Sequence, residues 1–300
     1  MKKRIALKID VDTCHGALHG VPALLDMLQR HDAAATFFFS LGPDHSGRQT
    51  GDDSLSRYYD RQTRFYGRLL PAPDIGRCAV AVLRRAQEAA CEVAIHAWNR
   101  AQWENLALNA ASTWSEQQLL QACRRFEDIF TAPPFAHAAA GWRSNRHALR
   151  LTQRLGFCYA SDCRGQFPFI PVIDGELVHC PQLPTTLPTL DEMLAQRTLT
   201  PPQAGEQILA AADAGIGDQV FTLRAELEGM RFADVGEQLL SGWRARGYSL
   251  ITLRELLGTR NIAQLPRHSL VLAEIPGRKG LRLCQGPLFP SSSIGQENSE

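Results

Sequence analysis

Short apolar runs alternate with amphipathic stretches along most of the chain, and that alternation most narrows what it can fold into. Strand character covers residues 4–11, 34–40, 91–96, 135–140, 157–161, 177–183, 219–224 and 248–252. Helical spacing covers 21–31, 75–90, 115–130, 144–155, 203–214 and 234–246, with Pro22 where a first turn accepts proline. Such alternation implies a parallel sheet, since parallel neighbours need a crossover. Seven or eight units of this kind predict an α/β fold closed into a barrel, and 300 residues suffice for one large domain or two small ones. Two segments stand apart. Residues 43–74 hold Gly47, Arg48, Asp52-Asp53, Arg57-Tyr58-Tyr59 and Phe65-Tyr66, an insertion that reads as a lid, a membrane-facing flap or a solvated loop. Residues 286–300 are rich in Ser, Gly and Pro and read as a disordered tail.

In a barrel, chemistry collects at the C-terminal ends of the strands. Asp10, Asp12, His96, Trp142, Asp162 and Arg224 all fall at or just past predicted strand ends, which points to one shared cavity. Asp10 and Asp12 are two apart on the first strand, so their carboxylates share a face. Like charges so close oppose each other's ionisation unless a cation or a donor stands between them. The pair is therefore either a metal site with one carboxylate left over as a base, or a solvated strand end. His96 is either a ligand or a hydrogen-bonded structural residue, and Asp12 across the mouth favours the ligand. Within Ala138-Ala139-Ala140-Gly141-Trp142-Arg143, Arg143 is suited to hold a carboxylate by a bidentate contact, with Asp10 the candidate. Asp162 is the candidate to orient Arg143. Arg164 pairs either with a substrate phosphate or with solvent.

The remaining composition excludes more than it suggests. A net charge of +1 gives no sign of nucleic-acid binding. Eight cysteines without a CxxC pair argue against a zinc ribbon or a disulfide scaffold. Lys8, Asp10 and Asp12 interrupt any apolar core after Lys2-Lys3-Arg4, so no signal peptide is expected. No apolar run reaches the length of a bilayer span. The expectation is a soluble, cytoplasmic chain.

The series Ile9-Asp10-Val11-Asp12-Thr13, His96-Ala97-Trp98, Ala138 to Arg143, Ser161-Asp162-Cys163-Arg164-Gly165 and Leu187-Pro188-Thr189-Leu190-Asp191-Glu192 resembles the NodB-like polysaccharide deacetylases. In particular it resembles the deformylases of the lipid A aminoarabinose pathway, from about Arg4 to Cys284. The resemblance implies a distorted (β/α) barrel of seven or eight units over residues 1–285, and hydrolytic deformylation of 4-deoxy-4-formamido-L-arabinose-phosphoundecaprenol. The product would modify lipid A and confer resistance to polymyxin and other cationic peptides. It implies an undecaprenyl-phosphate-linked amino sugar as partner and peripheral contact with the cytoplasmic face of the inner membrane. It also implies a divalent metal (Zn, Co or Mn) held by Asp12 and His96, Asp10 as general base, Arg143 positioning Asp10, and Asp162 behind Arg143. Two positions depart from the family pattern. The third metal ligand, a His four residues after His96, is Arg100, and a catalytic His is replaced by Arg224. A guanidinium has no lone pair to offer, repels a cation and keeps its proton near neutral pH. Three readings follow: a metal-dependent deformylase, a catalytically impaired or non-catalytic homologue, and a deacetylase of another lipid-linked sugar. Glu104, His15 and His19 are candidates for a replacement ligand, and Arg100 with Arg224 could instead bind an anion.

Overall fold

The computed structural model of the chain describes residues 3–49, 55–89 and 91–290. Among these the strands are β1 (Arg4–Val11), β2 (Ala35–Ser40), β3 (Glu92–Ala97), β4 (Ala136–His137), β5 (Tyr159–Ala160), β6 (Ile170–Ile173), β7 (Glu176–Leu177), β8 (Gln219–Arg224), β9 (Ser249–Ile251), β10 (Arg267–Ala273) and β11 (Arg282–Leu288). A parallel sheet runs β5-β4-β3-β2-β1-β8, with β9 paired to the start of β1. The predicted strand over 177–183 is not a regular strand. Its second half is an extended segment that links the two sheet edges: Ala160 N–H donates to Pro181 O at 2.8 Å, and Thr186 N–H donates to Val220 O at 3.0 Å. This irregular seam makes the barrel distorted.

Alternation on β1 decides what lies inside. Ile5, Leu7, Ile9 and Val11 point outward into the main core, beneath helices such as Val21–Arg30 and Ala233–Ala245. Ala6 points inward and joins Phe38, Ala94, Ala136, Ala138, Tyr159 and Val220 in an apolar floor. Lys8 and Asp10 continue the same inward face towards the C-terminal ends of the strands. The barrel interior therefore runs from an apolar floor to a charged mouth.

Two points of the sequence reading need correction. A second sheet, ordered β11-β10-β6-β7, escaped the sequence reading because it pairs Ile170–Ile173 with Arg267–Ala273, segments far apart along the chain. The tail does not begin at residue 286, since β11 runs to Leu288 and pairs with β10. Residues 291–300 and the Asp52-Asp53 pair lie outside the described residues. Among the described residues of 43–74 there are three short 3₁₀ turns, Ser46–Arg48, Ser56–Tyr58 and Thr63–Phe65.

Two π-helical turns, Gly16–Gly20 after β1 and Leu227–Arg231 after β8, pack backbone to backbone beside the mouth. A Cβ on Gly20 would meet the Ala225 carbonyl oxygen at 2.1 Å, and one on Gly229 would meet Gly20 O at 2.6 Å. Glycine at both positions lets the loops that follow Asp12 and Arg224 close on each other. Gly20→Ala should therefore lower stability by about 1–3 kcal/mol through overpacking, measured as a reduced urea midpoint. An unchanged midpoint would mean that this approach is not tight.

Candidate active site

The sheet register assembles the mouth. Asp10 is the parallel neighbour of Phe38 on β2 and of Arg224 on β8. β3 carries an extra residue opposite the Phe39–Ser40 step, and that residue is His96. A bulge re-aims a side chain at the rim of a barrel, and here His96 is turned onto the carboxylates. Its Nε2 lies 3.1 Å from Asp12 Oδ1, and its Nδ1 lies 3.9 Å from Asp10 Oδ1. Asn99 caps the following helix, Arg100–Leu106, by accepting from Gln102 N–H at 3.0 Å. Arg100 thus occupies the first helical position, where a cation meets the unfavourable end of the helix dipole. Two anions offset that: Arg100 Nε is 3.2 Å from Asp12 Oδ2, and Arg100 Nη2 is 2.9 Å from Glu104 Oε1.

Arg224 completes the arrangement from the opposite side. Its Nη1 is 3.1 Å from Asp12 Oδ2 and 3.6 Å from Asp10 Oδ2, and its Nε is 3.5 Å from Asp191 Oδ1. Asp191 also takes Arg278, at 2.5 Å, from the connection between β10 and β11. Arg164, Arg224 and Arg278 all lie over the Trp142 ring, at 5.2, 5.7 and 5.0 Å from its centroid. Lys8 reaches up from the floor, 3.5 Å from Asp10 Oδ1, and donates to Ser161 O at 3.1 Å. Asp10, Asp12, His96, Arg100 and Arg224 are all buried, so their charges must be balanced by one another.

Titration follows that balance. Burial alone would push the Asp12 carboxyl up, but Arg100, His96 and Arg224 outweigh it and hold Asp12 well below the usual carboxylate range. Burial pushes the Lys8 ammonium down against the pull of Asp10. Glu226 Oε1 accepts from Asp12 N–H, Thr13 N–H and Thr13 Oγ1 at 3.0, 2.8 and 2.9 Å. Burial first, and then the Asp12 charge, push Glu226 up to about 8. Burial likewise pushes Glu228, which accepts from Arg224 N–H at 2.9 Å, up to about 8.

Most of the sequence-derived residues meet here, with two corrections. Arg143 does not contact Asp10. Its Nη1 donates to Glu104 O at 2.5 Å, while the cations beside Asp10 are Lys8 and Arg224. Asp162 does not orient Arg143; it takes His137 Nδ1 and Ala139 N–H, each at 2.8 Å, and Gln182 Nε2 at 3.1 Å. Glu104 is engaged with Arg100. The His15 and His19 rings lie 4.5 Å apart and tilted by 48°, with His15 turned to Asp60. The sequence reading missed Lys8, His137, Asp191, Glu226, Glu228 and Arg278 as members of the site. Lys8 carried a usable signal, a cation on the same strand face as Asp10.

The residues present do not fit the divalent metal that the motif series implies. Among the described residues no group of three or more His, Cys, Asp or Glu side chains is arranged to hold a metal ion. Asp12 and His96 face each other, yet the other Asp12 oxygen is taken by two guanidiniums. A dication about 4 Å from one arginine would be repelled by roughly 8 kcal/mol, twice the unit-charge value at an effective dielectric constant of 20. Two such terms oppose an ion that only Asp12 and His96 are left to ligate, one ligand short of the three of a catalytic zinc site.

The parallel sheet and its charged mouth define a (β/α) barrel of the polysaccharide deacetylase type. Solved structures share the fold. A protein from Mycobacterium smegmatis described as a polysaccharide deacetylase matches with a TM-score of 0.65 at 17% identity, over 91% of this chain and 95% of that one. A CE4 family pseudoenzyme from Bacillus anthracis matches with a TM-score of 0.53 at 14% identity, over 89% and 69%. Among curated proteins, the probable 4-deoxy-4-formamido-L-arabinose-phosphoundecaprenol deformylase ArnD of Shewanella sediminis is 31% identical over 289 residues, 92% of this chain and 93% of that one. The protein of the same name from Wigglesworthia glossinidia brevipalpis is 27% identical, over 88% and 96%. No family model matches the chain. The chain belongs to the NodB-like polysaccharide deacetylase family, close to the ArnD deformylases.

The raised glutamates give a pH test. Between about pH 4.5 and 8 the folded protein holds protons on Glu226 and Glu228 that the unfolded chain has released. Stability should therefore fall as pH rises through that window, by about 1.4 kcal/mol per pH unit for each group, and level off above it. Asp12 adds no slope there, being ionised in both states. Glu226→Gln should remove roughly half of the slope, read from urea unfolding at pH 5.5, 6.5 and 7.5. An unaltered slope would mean that Glu226 is ionised throughout.

Proposed function

We propose that the protein acts on 4-deoxy-4-formamido-L-arabinose-phosphoundecaprenol and removes its formyl group slowly. The single observation that carries this reading is end-to-end similarity to a relative named for that substrate, over 92% of this chain and 93% of the other. On this reading the amino-sugar product serves lipid A modification and so resistance to polymyxin and cationic peptides. The polyprenyl anchor keeps the work at the cytoplasmic face of the inner membrane. Exposed Leu69 and Leu70, next to Arg64 and Arg68 in the insertion, support such a contact.

Water adds to the formyl carbon, the C–N bond breaks, and the products are formate and a protonated amine. Asp10 is the proton acceptor for that water, held between Lys8 and Arg224, and the proton it takes is the one available to the leaving amine. Arg224 Nη2 is buried with no hydrogen-bond partner among the described residues, which suits it to meet the carbonyl oxygen. Arg224 does not give up a proton, so the leaving group lacks the dedicated acid that the family His would supply. Loss of such an acid costs roughly 100-fold to 10,000-fold. Arg143 anchors the Trp142 loop through the Glu104 carbonyl, and Asp162 fixes His137 below it.

A second reading, binding without turnover, is favoured by one observation: Asp12 is fully engaged by Arg100 and Arg224. A short-chain polyprenyl analogue of the formamido substrate separates the two. We expect saturable binding and formate release at least about 100-fold below that of the Shewanella relative, abolished by Asp10→Asn. Binding without formate would favour the second reading, and no binding would overturn both.

A further inference from the structure

We infer that Arg100 and Arg224 are resident counter-cations in the place of the family's divalent metal, so this protein balances its buried carboxylates internally and takes up no metal. The inference rests on the family membership that identifies Asp12 and His96 as the remaining ligand positions. Both arginines converge on one oxygen, Asp12 Oδ2, at 3.2 and 3.1 Å from opposite sides of the mouth. Each is held by further partners. Arg100 also pairs with Glu104 at 2.9 Å and donates to Gln49 Oε1 at 2.5 Å. Arg224 also reaches Asp10 and Asp191 and lies over Trp142. Their side chains are only 3% and 1% exposed. Moving Arg100 aside would strip Glu104 of its 2.9 Å guanidinium partner, and moving Arg224 would leave Asp191 to Arg278.

This explains why Glu104 supplies no replacement ligand: it is the anchor of Arg100. It also explains how two histidine positions can become arginine together. Lys8 already meets Asp10, and the two arginines supply the charge that Asp12 and its neighbours Glu104 and Asp191 require.

The test titrates the ligand-free protein with Zn²⁺ and Co²⁺, following heat, the Co²⁺ absorption spectrum and the thermal midpoint. The wild type should show no saturable binding, no Co²⁺ bands, and a midpoint unmoved by Zn²⁺ or chelator. Arg100→His with Arg224→His should bind one ion at least about 100-fold more tightly. Its metal-free midpoint should fall, and Zn²⁺ should restore it. Stoichiometric binding to the wild type, lost in Asp12→Asn, would overturn the inference, and that arm decides the matter even if the double variant fails to fold. No sugar lipid is present, so failure here leaves the substrate reading standing. Failure of the analogue to bind would equally leave this inference untouched.

Discussion

The mouth of this barrel depends on how the charge of Asp12 is balanced. A carboxylate at the end of a parallel strand, sealed from water, persists as an anion only beside cations in good geometry. Here one oxygen faces His96 and the other takes two guanidiniums. From that centre the order spreads outward. Arg100 recruits Glu104, Arg224 recruits Asp191, and Asp191 recruits Arg278 from the second sheet. Glu226 holds the backbone of Asp12 and Thr13 in place beneath the carboxylates.

The same interaction shapes the chemistry. A metal ion would supply concentrated positive charge with open positions for water and a carbonyl oxygen. Guanidiniums supply diffuse charge with directional donors. The barrel framework is kept, including the Trp142 loop with its surrounding arginines, while guanidiniums carry the positive charge at the mouth. On the proposed function, binding is kept more readily than rate, because substrate contacts and transition-state stabilisation draw on different groups.

Much of this was legible in the chain itself. The alternation over residues 4–11 put Asp10 and Asp12 at a strand end, and the structure keeps Asp10 inward beside Arg224. The motif series located the mouth and flagged Arg100 and Arg224 as out of pattern. What escaped was pairing between distant segments. Nothing local to Arg143 reveals that it prefers the Glu104 carbonyl to Asp10, and nothing local to Asp162 reveals His137 as its partner. Arg278 lies between two strands of a sheet whose short, irregular runs lack a clear period, so its arrival over Asp191 was invisible. Local periodicity reports which face a residue takes; charge pairing is settled only when the faces meet.

The most direct test of the central claim is an anomalous difference map at the zinc absorption edge, from crystals of the unaltered protein grown with Zn²⁺. The account predicts no peak between Asp12 and His96, with both guanidiniums seated on Asp12 Oδ2. A peak about 2.1 Å from Asp12 and His96, with Arg100 or Arg224 swung aside, would contradict it.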